Sequence, residues 1–325
     1  MARIRTRLTE TLGVEHPVVA GGMMWISRPP LVAAVAEAGA LGFLTALTFG
    51  TPEGLAEAID ETRRLTGRPF GVNLTFLPTL RPVSYDGFID VIVDRGIPVV
   101  ETAGRNPEPY LERIKAGGAK VIHKCTSIRH ARKAQAIGCD MISIDGFECA
   151  GHPGEDDVTS LVLVPRAVEE LDVPVIASGG FADGRGLAAA LALGAVGVNM
   201  GTRFLLTREA GLHPAIAERL LATDETGTTL VMRSLRNTER VLANAWAGRV
   251  LEMERRGASL EELAPLLSGR NGLRALREGD PDGGLIAVGQ CIGLIRDVPP
   301  AGELVRRIVE EAAGILGRRL PALLG

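Results

Sequence analysis

The 325 residues balance 36 Lys and Arg against 39 Asp and Glu, for a net charge of −3, and aromatics make up only 4%. That argues against a nucleic-acid binder, which needs a basic face and stacking platforms. A hydrophobic share of 46% against 23% charged excludes general disorder.

Reading from the N-terminus, MARIRTRLTE lacks the apolar stretch of a signal peptide. No apolar run reaches a membrane span of about 18 residues. The expectation is a cytoplasmic protein with neither membrane nor nucleic acid as partner. Short apolar runs then recur at Pro17–Ala20, Leu41–Ala46, Phe70–Leu74, Ile97–Glu101, Lys120–His123, Met141–Asp145, Val173–Ser178 and Val196–Met200. Several are near-continuous Val/Ile/Leu, the pattern of parallel strands buried on both faces. Between them lie helix-like segments at Leu31–Ala38, Pro52–Leu65, Tyr85–Asp94, Pro109–Ala116, Ser127–Ile137, Leu163–Leu171 and Gly184–Leu193. Eight such units predict an α/β fold, a (β/α)8 TIM barrel. An open doubly wound sheet fits less well, because no GxGxxG follows the first strand.

After Thr202 the pattern changes. Pro214–Leu267 reads as helical with no strand run, Asn271–Asp282 as a loop, and Ala301–Leu320 as a closing amphipathic helix. The expected division is a barrel over 1–209, a mainly helical subdomain over 210–300 and a closing helix over 301–325 packed on the barrel. Val231–Arg240 carries arginines that would suit either a dimer contact or a cofactor, so a homodimer is left open.

Barrel enzymes work at the C-terminal ends of their strands. Here those ends read Gly21-Gly22-Met23, Asn73 and Thr75, Glu101 and Thr102, His123 and Lys124, Asp145, Ser178-Gly179-Gly180, and Gly201-Thr202. A purely structural barrel does not need this polar, glycine-rich ring. The loops after strands seven and eight are the usual phosphate site of such barrels. Glycines at 179, 180 and 201 let backbone N–H groups approach an anion, and a helix starting near Thr202 points its positive end at it. Lys124 can hold charge that develops on a cofactor ring or on a substrate carboxylate. A Schiff-base role is the alternative. His152, on the long acidic loop after strand six, can act as base or donor near neutral pH. Cys149 lies three residues before it, but two ligands are too few for a closed zinc site, and no metal is expected.

The segments AGGMMWIS, GVNLTFLP, ETAGRNP, VIHKCTSIRHARKAQAIGCD, SIDGFECAGHPGEDD, PVIASGGFADGRGLAAALALGAVGVNMGTRF and MRSLRNTER together resemble the nitronate monooxygenase (2-nitropropane dioxygenase) superfamily. The GFECAGHPGEDD loop at 146–157 is most similar to its branch of FMN-dependent NADH:quinone reductases. Flavin-dependent enoyl-acyl carrier reductases share the barrel and look more distant. The resemblance implies FMN, held by Gly22, Met23, Asn73, Thr75, Lys124, Asp145, Ala150 and Gly151, with its phosphate at Gly179, Gly180, Gly201 and Thr202. It implies a hydride passed from NADH or NADPH to flavin and two electrons passed to a quinone, with Lys124 and His152 as catalytic groups. The alternative it carries is oxidation of alkyl nitronates with O2. The nitronate-oxidising class usually has Gly-Gly-His-Arg-Gly where this chain reads Ala150-Gly151-His152-Pro153-Gly154.

Overall fold

The computed structural model describes residues 3–76 and 83–324. Leu77 and Pro78 of the GVNLTFLP segment lie outside them. Eight parallel strands close in sequence order: β1 (Val18–Ala20), β2 (Leu41–Thr45), β3 (Gly71–Phe76), β4 (Val99–Gly104), β5 (Lys120–Cys125), β6 (Met141–Asp145), β7 (Val175–Ser178) and β8 (Val198–Met200), with β1 pairing to both β2 and β8. β2, β6 and β7 are buried at every position. This is the predicted (β/α)8 barrel.

Helix α1 (Arg7–Leu12) precedes the barrel. The outer helices are α2 (Pro29–Glu37), α3 (Pro52–Leu65), α4 (Tyr85–Asp94), α5 (Glu108–Ala116), α6 (Ile128–Ala136), α7 (Ser160–Glu170) and α8 (Gly184–Ala192). Their starts follow capping chemistry. Thr51, Ser127 and Asp183 each accept the backbone N–H three residues on, closing α3, α6 and α8. After β8 come the single turn α9 (Thr202–Leu205) and α10 (Pro214–Leu221), with α11 (Ala245–Arg255), α12 (Leu260–Leu267), α13 (Gly269–Glu278) and α14 (Ala301–Gly314) further on. α14 packs against α8 and α2. Gly184 allows the closest approach, because a Cβ there would meet the Ile308 carbonyl at 2.5 Å.

Two expectations fail in the tail. Within 214–267, read as free of strands, β9 (Thr228–Val231) and β10 (Glu239–Leu242) form an antiparallel hairpin. Each strand has only four residues, and Arg240 masks the apolar signal of β10. Its guanidinium is nevertheless buried, lying 4.5 Å from the Phe147 ring centre and donating to the Phe147 carbonyl at 2.9 and 3.2 Å. Asn271–Asp282, read as a loop, is largely α13. Its Arg, Leu, Ala and Glu are strong helix formers that outweigh Gly272, and Gly279 ends it in a left-handed conformation. Among the described residues no helix is long and apolar enough to cross a membrane.

Candidate active site at the barrel mouth

The strand ends open into a cavity of about 890 Å³. Gly22, Asn73, Thr75, Lys124, Asp145, Ala150 and His152 all line it, as the sequence reading expected. Beneath them lies a carboxylate to which the reading gave no role. Glu101, fully buried on β4, accepts from the Gly22 N–H at 3.1 Å and from Asn73 Nδ2 at 2.7 Å on one oxygen. Its other oxygen accepts from Asn199 Nδ2 at 2.8 Å. Three donors on one carboxylate compensate its desolvation and fix the Asn73 amide. Gly22 must be glycine because a Cβ would collide with the Asn73 side chain.

Lys124 Nζ stands 3.4 Å from Asp145 Oδ2. Burial alone would lower its pKa, but the Asp145 and Glu101 carboxylates outweigh that and push it above the usual lysine value. The neighbouring carboxylates thus favour the ammonium form at the cavity, which disfavours a Schiff-base role, since that needs a neutral amine. Asp145 Oδ1 is buried without a hydrogen-bond partner among the described residues. An orphaned acceptor facing a cavity calls for a donor from a bound group.

Two imidazoles share the wall. His152 is half-buried, and burial lowers its pKa against a smaller opposing pull from Glu155. His123 is buried, its Nδ1 lies 2.8 Å from Thr102 Oγ1, and burial pushes its pKa down to about 4. Both are neutral near pH 7. Burial raises the Cys149 thiol well above its ordinary range, so a thiolate nucleophile there is disfavoured.

The remaining predicted residues sit apart from the cavity lining. Gly179 and Gly180 both have φ of +86°, reserved in practice for glycine. A Cβ on Gly179 would meet the Gly146 carbonyl at 2.7 Å, and one on Gly180 the Glu148 side chain at 3.3 Å. Packing of the 146–151 loop therefore demands these glycines independently of any ligand. The N–H groups of Gly180, Gly201 and Thr202 have no acceptor among the described residues, so donors for an anion stand at the ends of β7 and β8. Thr202 Oγ1 accepts from the Gly289 N–H at 3.0 Å, drawing 288–292 over this end. Met23 lies across it, Sδ falling 3.8 Å from where a Gly201 Cβ would be. Gly151 does not line the cavity; it exchanges backbone hydrogen bonds with Arg240 at 3.1 and 2.6 Å, docking the loop on β10.

The model of the family described as nitronate monooxygenase matches residues 5–81 and 75–311. The chain belongs to the nitronate monooxygenase family. It is accordingly an oxidoreductase on a flavin-type barrel. Over 96% of its length it is 34% identical to the (3aS,4S,5R,7aS)-5-hydroxy-7a-methyl-1-oxo-octahydro-1H-indene-4-carboxyl-CoA dehydrogenase of Rhodococcus jostii (strain RHA1), covering 97% of that protein. Over 70% it is 32% identical to a probable nitronate monooxygenase of Staphylococcus aureus (strain Newman), covering 75% of that protein. The solved structure of FabK from Thermotoga maritima superposes with a TM-score of 0.90 at 37% identity, covering 98% of this chain and 99% of the other.

Proposed function

We propose that this chain is an FMN-dependent NAD(P)H:quinone reductase. The observation that carries the reading is Lys124 on the cavity lining, its Nζ 3.4 Å from Asp145 Oδ2, where the Asp145 and Glu101 carboxylates favour its charged form. A fixed cation there favours negative charge arriving on a bound ring, as hydride acceptance requires. FMN, when bound, supplies the hydride acceptor and the two-electron store.

The chain's own residues fit such a group. Asp145 Oδ1 offers the acceptor that a ring N–H would satisfy, and Glu101, by accepting from the Gly22 N–H and Asn73 Nδ2, fixes Gly22 and Asn73 where they would flank such a ring. Thr75 and Ala150 line the cavity beside them and would flank such a ring. The N–H groups of Gly180, Gly201 and Thr202, with the Gly179 turn behind them, suit a single phosphate. The two neutral imidazoles, His123 and His152, can hydrogen-bond a quinone oxygen, with His152 orienting the acceptor.

A second reading, nitronate monooxygenase, is favoured by His152 on the cavity wall, since a neutral imidazole can take a substrate proton. The substrate named for the Rhodococcus relative is a CoA thioester, and a thioester acceptor belongs in the same panel. The test is anaerobic stopped-flow reduction of the purified yellow protein by NADH or NADPH, then reoxidation by benzoquinone. Oxygen uptake with propyl-2-nitronate runs in parallel. Release of FMN, fast reduction and quinone turnover are expected. Reduction by neither nucleotide, with brisk nitronate oxidation, would overturn the proposal in favour of the second reading. His152→Ala should leave nucleotide-driven reduction within about tenfold, whereas loss of a general base would slow nitroethane-driven reduction by about 10²–10⁴-fold.

A further inference from the structure

Four cations line the mouth cavity with no carboxylate partner among the described residues: Arg105 after β4, Arg129 and Lys133 on α6, and Arg236 in the β9–β10 hairpin. All four are exposed. The neighbouring Arg233, by contrast, is paired with Asp157. The acidic groups lining the same cavity are Asp145, beside Lys124, Glu155, whose carboxylate is already held by the Thr238 N–H and hydroxyl at 2.9 and 2.6 Å, and the exposed Asp156. The wall is therefore electropositive in a chain that is net acidic.

Two of the placements run against local stability. The first turn of α6 carries Arg129 and His130 and no acidic residue, although the helix dipole disfavours cations there. Arg236 holds a left-handed φ of +51°, a region that side chains other than Gly and Asn rarely adopt. A quinone or a nitronate carries at most one charge and gives no reason to gather four unpaired cations from three separate segments. Such features point to a ligand.

We propose that this wall binds the pyrophosphate of an adenosine diphosphate group, carried by the nucleotide that reduces the enzyme. The inference rests on the reductase reading for its hydride donor. Its chemistry does not, since coenzyme A carries the same adenosine pyrophosphate. Exposed contacts of this kind are worth about three- to fivefold in affinity each.

The test compares the FMN-loaded wild type with Arg129→Gln/Lys133→Gln/Arg236→Gln, matched by circular dichroism and flavin content. ADP binding is read by calorimetry, and kcat/KM for NADH is divided by that for 1-benzyl-1,4-dihydronicotinamide, a hydride donor with no phosphate. Both the ADP affinity and this ratio should fall about 30- to 100-fold, and both should lose most of their salt dependence. A change under threefold in each would overturn the site and leave the reductase reading standing. If the benzyl compound reduces the flavin while neither NADH nor NADPH does, the reductase reading fails. Titrations of ADP and coenzyme A then judge the wall alone: binding lost in the variant keeps the site with coenzyme A as source, and unchanged or absent binding overturns it. Should the triple variant fold poorly, Arg129→Gln and Arg236→Gln singly should each give the three- to fivefold effect, and no effect in either would overturn the site.

Discussion

Replacing Glu101 by Gln tests whether the buried carboxylate holds the floor of the mouth together. The substitution keeps the volume and removes the charge. The best orientation keeps the amide oxygen where Oε2 now accepts from the Gly22 N–H and Asn73 Nδ2. The new NH2 then faces Asn199 Nδ2, another donor, and the 2.8 Å bond there is lost. A hydrogen bond to a charged group contributes about 1.5–3 kcal/mol. The two remaining bonds weaken from charged to neutral, by about 0.5–1 kcal/mol each. Against this, a neutral amide is easier to bury than a carboxylate. The net expectation is a loss of about 2–4 kcal/mol, read as a lower urea midpoint at unchanged slope. Flavin affinity should fall as well, because Asn73 is released and Lys124 loses one of its two neighbouring anions. A shift below about 0.5 kcal/mol would refute the reasoning, since it would mean that the three donors find other acceptors without cost.

Three further outcomes follow from the same structure. Gly180→Val should lower flavin occupancy more than about tenfold while far-UV circular dichroism is retained, because a β-branched residue at φ +86° is strained and its Cβ meets Glu148 at 3.3 Å; full occupancy would place the phosphate elsewhere. His123 makes stability fall with acid: the unfolded chain takes up this proton below its ordinary pKa of 6.5, the folded chain only near 4, so stability present above pH 6.5 is lost on the way down to pH 4, by about 2–3 kcal/mol at most. The urea midpoints of His123→Asn at pH 7 and pH 4.5 should then lie closer together than those of the wild type, and an unchanged gap would assign the acid sensitivity to other groups. Arg240→Met should cost about 2–3 kcal/mol and expose the 146–151 loop to proteolysis, since both bonds to the Phe147 carbonyl and the ring contact are lost; unaltered digestion kinetics would contradict that anchoring role.

The barrel was legible because eight short runs, several of them near-continuous Val, Ile and Leu, alternate with helix-like segments over the first 200 residues. The hairpin after α10 was not, for a reason visible in Arg240. Its charge breaks the alternation of β10, and the carbonyl that receives it, on Phe147, is 93 residues away. α13 was hidden by composition: its glycines and arginines look like a loop until Gly279 ends them with a helical cap. The site divides along the same line. Strand ends can be read from the chain, so Asn73, Lys124 and Asp145 are expected at the mouth, and they do line its cavity. That Glu101 binds Asn73 and Asn199 at once depends on β3, β4 and β8 facing the same interior point, and the spacing of those residues along the chain does not encode it.

Buried charge separates architecture from chemistry in this chain. Arg240 is buried and donates to the Phe147 carbonyl and to Thr228 Oγ1 at 3.0 Å, joining the hairpin to the loop. Glu101 is equally complete, with three donors on its two oxygens. Lys124 and Asp145 are not. Their only link to each other is 3.4 Å long, and Asp145 keeps one oxygen bare. Other buried polar atoms lack partners on His16, Thr45 and Arg203, but of these four residues only Asp145 lines the cavity. An unsatisfied buried carboxylate oxygen is costly, and Glu101, two strands round the barrel, shows that this fold can surround a carboxylate fully. The deficit at Asp145 is therefore the feature on which the proposed cofactor site rests: a planar group with an N–H would satisfy the carboxylate, and charge developing on it would meet the ammonium alongside.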